Sequence, residues 1–197
     1  MKERNKLAEA IHTTAVNKGW WEGDRNLTEA RMLIITELAE AVEADREGRR
    51  ADYDSFQMFM PKELSAAGRK NYEESKPFTI TQYDKTVYKK HFKKYIKDTV
   101  EDELADTYIR ILDLLYHESD GDLSSYMGDR VHLDTELVDN FAASIYQICN
   151  MVDRSLSFTL YLIEELCNMH DIDLGRYVNL KMEFNKLRRN KHGGKKY

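Results

Sequence analysis

Breakers of regular structure are scarce in this chain: two prolines and nine glycines in 197 residues. So few interruptions exclude an architecture of many short strands joined by turns, and leave long stretches free to be helical. The two cysteines, Cys149 and Cys167, are too few for a disulfide scaffold and lack the Cys-x-x-Cys spacing of zinc or redox sites, so buried thiols are expected. No apolar run approaches the length of a bilayer crossing, and the opening Met-Lys-Glu-Arg-Asn-Lys has no apolar signal core. The expectation is a cytoplasmic protein that makes no membrane contact. A Gly-x-x-x-x-Gly-Lys-Ser/Thr loop is also missing, which excludes P-loop hydrolysis. An excess of basic charge is missing too: the net charge of -5 argues against a general nucleic-acid binder, whose affinity comes from cations neutralising phosphates.

What is present is helix-forming: Ala, Leu, Met, Glu, Lys and Arg abound, with 42% hydrophobic and 33% charged residues, enough for one domain with a real core. Helical spacing runs through Leu7, Ala10, Ile11 and Thr14 and stops at Lys18-Gly19. Asn26 and Thr28 are alternative caps for a helix from Ala30 to Glu47, which ends at Gly48. From about 49 to 97 the texture changes to both prolines, many aromatics and charges without a clean period, predicting an inserted irregular segment with short helices, one of them over Lys85 to Lys97. Helicity resumes from Asp98 to His117, yields to a loop over Glu118 to Asp134, and returns over Thr135 to Met151, Ser155 to Met169 and Leu174 to Asn190. The sum is one all-α bundle of about six helices spanning 1–197.

Two of these helices carry carboxylates in the wrong place for a solvated face. At about 100° per residue, Glu37 falls inside the arc of Leu33, Ile34, Leu38, Ala41 and Ala44, and Glu40 sits about 60° off at its margin. On the later helix Glu103 lies beside Val100, Leu104, Ile111 and Leu114, with Asp106 at the same offset. A single Glu-x-x-Glu is weak, since acidic pairs at helical spacing are common on surfaces. Four carboxylates converging between packed helices would repel one another unless cations neutralise them, and all-oxygen ligands suit Mg²⁺ or Mn²⁺ better than zinc. The far end of the chain is basic: Lys181, Lys186, Arg188, Arg189, Lys191, Lys195 and Lys196 stand against Glu183 alone, either an anion site or a solvated basic face.

Glu37-Leu-Ala-Glu40 and Glu103-Leu-Ala-Asp106 resemble the Glu-x-x-Glu and Glu-x-x-Asp pairs of the MazG-type, all-α nucleoside triphosphate pyrophosphohydrolases, a family related to the dimeric dUTPase and dCTPase-like enzymes. Lys181-Met-Glu-Phe-Asn185-Lys-Leu-Arg188, the tail His192-Gly-Gly-Lys195-Lys-Tyr197, and Lys18-Gly-Trp-Trp21 agree with that family's pattern. Two features depart from it: Thr36 stands where another Glu is frequent, and the link from Gly48 to Lys97 is much longer than usual, as for an inserted lid, a dimer arm or a changed substrate.

The resemblance implies a four-helix metal-binding core in which Glu37, Glu40, Glu103 and Asp106 hold one or two Mg²⁺ ions, with Mn²⁺ as a substitute. It implies a nucleoside triphosphate substrate cleaved to monophosphate and pyrophosphate, and a homo-oligomer, dimer or tetramer. Glu40 is the candidate general base, at the edge of the stripe where water can reach. Lys181, Asn185 and Arg188 share a face at spacings of four and three and are candidate phosphate ligands, joined by Lys195 and Tyr197. Trp20 or Trp21 would stack on a base or close a core edge; His12 would touch base or ribose, or be structural. Two other classes stay open. A ferritin-like di-iron centre needs Glu-x-x-His on two helices, whereas only Glu9-Ala-Ile-His12 has it. A non-catalytic helical interaction or nucleotide-sensing module would leave the acidic pairs dispensable.

Overall fold

The structure is a computed structural model that describes residues 2–23, 25–63, 80–124 and 137–191. Among them it contains eight α-helices and no strand: α1 (Lys2–Asn17), α2 (Leu27–Arg46), α3 (Tyr53–Glu63), α4 (Ile80–Tyr95), α5 (Val100–Glu118), α6 (Phe141–Met151), α7 (Leu156–Met169) and α8 (Leu174–Lys186). The fold is all-α, as expected. The two helices beyond the expected six are α3 and α4, both in the segment where short helices were expected, and α4 covers most of the stretch from Lys85 to Lys97.

Local chemistry explains the boundaries. Asn26 caps α2 by accepting from the backbone N–H groups of Thr28 and Glu29, so the helix begins three residues before Ala30. Gly48 at φ 67° ends it, with Arg49 N–H donating back to the Ala44 carbonyl at 2.8 Å. Thr99, Asn140, Ser155 and Asp173 cap α5, α6, α7 and α8 in the same way. The Asn140 cap sets the start of α6 at Phe141, later than Thr135, which lies outside the described residues. α8 stops at Lys186, short of Asn190, because the Lys18 ammonium donates to the Lys186 and Arg188 carbonyls and satisfies the helix end.

α5 is the axis of the bundle. It packs most extensively on α2, then on α1, α8 and α7, and is buried on nearly every side by Leu104, Tyr108, Ile111, Leu112 and Leu115 among others. α6 packs on α7 and α2, while α3 and α4 pack on each other and α4 leans on α8. The inserted segment leaves and returns at one point: Val100 N–H donates to the Arg49 carbonyl, Asp52 N–H to the Tyr95 carbonyl, and Ala51 N–H to the Glu101 carboxylate at 2.9 Å. The long link therefore does not separate α2 from α5. Cys149 and Cys167 are free thiols, the second buried and the first half-buried. No helix among the described residues is long and apolar enough to cross a membrane.

Candidate metal centre

Glu37 sits in the stripe of α2 that buries Ile34, Leu38 and Ala41, and it is itself buried against α5. Glu103 is buried on the facing side of α5, with Asp106 one turn further on. Carboxylate oxygens of Glu37, Glu103 and Asp106 lie within 4.8 Å of one another. Glu40 does not join them; it is exposed on α2 one turn beyond Glu37. Three of the four expected carboxylates thus meet, and the fourth stays at the margin.

Two cations that are themselves largely buried already reach into this centre. Arg110, one turn beyond Asp106, holds Glu37 Oε1 from Nη2 at 2.6 Å and from Nε at 2.8 Å. Lys181, expected on a substrate phosphate, points inward from α8, with Nζ 2.8 Å from Asp102 Oδ1 and 2.8 Å from Asp106 Oδ2. It is 3% exposed, too deep to serve as a surface phosphate ligand. Its neighbours on the same face end elsewhere. Asn185 lines a cleft over the centre, and the half-buried Arg188 donates to Asn185 Oδ1 at 3.5 Å.

The charges are unequally satisfied. Burial, reinforced by the charges of Asp102, Asp106 and Glu37, pushes the Glu103 carboxyl up to about 9, so it carries a proton at neutral pH. Burial likewise lifts Asp102 to about 6 against the pull of Lys181. Burial acts on Asp106 as well, yet Lys181 and Arg110 outweigh it and hold this carboxyl below its ordinary range. The same carboxylates raise Lys181 although burial would lower it. A protonated acid between ionised ones is what results when carboxylates outnumber cations.

The donor set fits a hard divalent ion. Three carboxylates with oxygens within 4.8 Å of one another, and no sulfur or imidazole among them, are the donor chemistry that Mg²⁺, Mn²⁺ or Ca²⁺ takes. The salt bridges use only one oxygen each of Glu37 and Asp106.

The cleft above is lined by Asp106, Arg110, Asn185, Lys18, Trp20 and Arg25, among others, and offers about 70 Å³ of open space, room for a phosphate-sized group. Trp20 lines it, whereas Trp21 is engaged behind it: the Trp21 indole N–H donates to Asp113 Oδ1 at 2.9 Å, and its ring carries His117 at 4.0 Å and the Arg25 guanidinium at 4.3 Å. His12 Nδ1 is 2.7 Å from the same Asp113 oxygen. Of the residues expected on a base, Trp21 and His12 are therefore anchored to one buried carboxylate. Lys195 and Tyr197 lie outside the described residues.

Asp102, Arg110 and Asp113 were not singled out by sequence. Asp113 follows Asp106 by seven residues and Arg110 follows it by four, so both continue the acidic face and were legible in principle. Asp102 reads as an ordinary first-turn acid, and only the partner on α8 gives it a role. Compared with known proteins, the chain matches no family model, no curated protein and no solved structure.

Proposed function

We propose that this protein is a Mg²⁺-dependent nucleoside triphosphate pyrophosphohydrolase, cleaving an NTP or dNTP to the monophosphate and pyrophosphate. The observation that carries the reading is the meeting of Glu37, Glu103 and Asp106, from the two acidic motifs, in one buried centre. Around it four carboxylates, Glu37, Asp102, Glu103 and Asp106, face two cations, Arg110 and Lys181. With every carboxyl ionised the excess is two negative charges, that of one divalent ion. Mg²⁺ in such a centre supplies neutralising charge for a triphosphate and acidifies water.

The chain's own residues take the other roles. Glu37, Glu103 and Asp106 hold the ion, while Arg110 and Lys181 fix two of those carboxylates from the rear. Glu40, exposed at the margin, accepts the proton of the attacking water. Asn185 and Arg188, with Lys18 at the cleft wall, bind phosphate oxygens, and Lys195 and Tyr197 belong to the same subsite by resemblance to the family. Trp20 offers the base its platform, and Asp113 keeps Trp21 and His12 in place behind it. A homo-oligomer belongs to the same proposal.

The test is a single-turnover assay with Mg²⁺ and a panel of ribo- and deoxynucleotides, scored for the first phosphorus product. Pyrophosphate is expected; orthophosphate as first product refutes the assignment. The ion pairs favour a second reading, because Lys181 and Arg110 already neutralise part of the cluster without a metal: a nucleotide-sensing or interaction module without catalysis. It predicts that Glu37→Gln with Glu103→Gln leaves ligand binding untouched.

A further inference from the structure

The acidic total conceals a separated basic face. Segments 80–97 and 181–197 together hold thirteen lysines and arginines against two acids, in a chain whose net charge is -5. The described parts of these segments pack together. Phe92 of α4 stacks on Phe184 of α8 at 4.3 Å between ring centroids, and the Tyr88 hydroxyl donates to the Leu180 carbonyl at 2.8 Å. Val87, His91, Phe92 and Ile96 turn inward, which leaves Lys85, Lys89 and Lys93 in a row at i, i+4 and i+8, about 6 Å per step.

That row is not isolated on its helix. Burial lowers the Lys89 ammonium from its ordinary value, and the charges of Lys93, Lys18, Arg189 and Lys85 push it the same way. Lys18 lines the cleft, so the cations continue from the cleft wall onto α4. Among the described acids near this face, Glu183 pairs with Lys186, and Glu22 lies 3.4 Å from Lys191.

We propose that this face, Lys85, Lys89 and Lys93 with Lys18 and Arg189, binds the phosphodiester backbone of a nucleic acid. Whole-chain charge argues the other way, but association with a polyanion responds to the local field rather than the sum. A lysine row at regular spacing, continuous with a second set of cations, is charge-complementary to a chain of phosphates. A membrane surface fits worse, because an interfacial helix needs apolar side chains free to insert, and Val87 and Phe92 of α4 are buried in the core.

The experiment is fluorescence anisotropy of labelled single-stranded and duplex DNA against the full-length protein across a salt series. A parallel arm measures co-sedimentation with vesicles rich in anionic phospholipid. The test variant is Lys85→Glu/Lys89→Glu/Lys93→Glu, with Lys85→Gln/Lys93→Gln as a milder second, both checked for helicity and melting temperature. The expected result is DNA binding that weakens steeply with salt, and a loss of about tenfold or more in the triple variant. Its salt slope should fall by roughly 2 to 3 as three phosphate contacts go. The milder variant should move in the same direction. The arm that binds more tightly identifies strand or duplex as the preferred backbone. Absence of DNA binding at low salt, affinity unchanged in a folded variant, or binding to vesicles without DNA would each overturn the proposal. The readout is binding alone, so it is independent of whether the protein hydrolyses nucleotides.

Discussion

Replacing Glu103 by Gln should make the metal-free protein more stable, and by an amount that depends on pH. The Glu103 carboxyl stands near 9 in the folded chain against an ordinary 4.5. Because the folded value lies above the unfolded one, its contribution to stability is complete below about pH 4.5 and is lost as pH rises toward 9. At pH 7 the folded protein binds a proton that the unfolded chain has released. The cost is then about 1.4 kcal/mol for each pH unit above 4.5, or roughly 2–3 kcal/mol after allowance for its strong coupling to Asp102 and Asp106. Gln has the size of the protonated acid and never needs that proton. The neighbouring Asp102 is little affected, since Glu103 is already neutral at pH 7. Urea unfolding with EDTA should therefore show wild type and Glu103→Gln nearly equal at pH 5, with the variant ahead by roughly 2–3 kcal/mol at pH 7. Saturating Mg²⁺ should then stabilise the wild type and not the variant, with about one proton released per ion bound, read by calorimetry in buffers of different ionisation enthalpy. A variant that is less stable than wild type at pH 7, or ahead by the same margin at both pH values, would refute the account of Glu103 as an over-crowded acid.

Further outcomes follow from the same geometry. Glu37→Gln and Asp106→Asn should each reduce single-turnover pyrophosphate release by about 100-fold or more while the circular dichroism spectrum is retained, since each removes a ligand of the proposed ion. Lys181→Met should destabilise the metal-free protein by about 3–5 kcal/mol at pH 7, because Asp102 and Asp106 lose their shared buried cation, and the deficit should shrink at pH 5 as they take up protons; thermal melts at both pH values check this. Asp113→Asn should cost about 1–3 kcal/mol by weakening the anchoring of His12, Trp21 and Arg25, and under the proposed function should raise KM more than it lowers kcat.

The local features of the fold were legible because they are written in adjacent residues. Glu37 inside an apolar arc identified the inner face of α2, and Gly48 marked its end. Over 49–97 the same logic reached less far: short helices were expected, one over Lys85 to Lys97 that α4 largely covers, but not their bounds, because Tyr53, Phe56, Tyr88 and Phe92 pack on each other and on Tyr177 and Phe184, partners a helical period does not reveal. Lys181 shows the limit at the site. Its spacing with Asn185 and Arg188 gave the correct face of α8 but not the direction that face looks, which is decided by Asp102 and Asp106 on another helix. Trp21 was likewise anchored by Asp113, distant in sequence, leaving the cleft wall to Trp20.

The inserted segment and the acidic centre are linked through one short stretch. Arg49 and Val100, the residues that bracket the insertion, are hydrogen-bonded to each other, and Asp98 N–H donates to Asp102 Oδ2 at 3.1 Å while Ala51 N–H donates to Glu101 Oε2. Backbone donors from both ends of the insertion thus stabilise charges at the first turn of α5, where three consecutive acids, Glu101, Asp102 and Glu103, would otherwise depend on the helix N-terminus alone. Glu103 has no such donor in this stretch, and its carboxyl is driven further upward than that of Asp102. The segment therefore contributes twice: its ends satisfy the acids that flank the candidate metal centre, and its second helix carries the lysine row beside the cleft. Shortening it to a direct link between α2 and α5 should then raise the apparent pKa of Asp102 and remove the lysine row together, two changes that NMR titration of the carboxyl groups and DNA anisotropy would read separately.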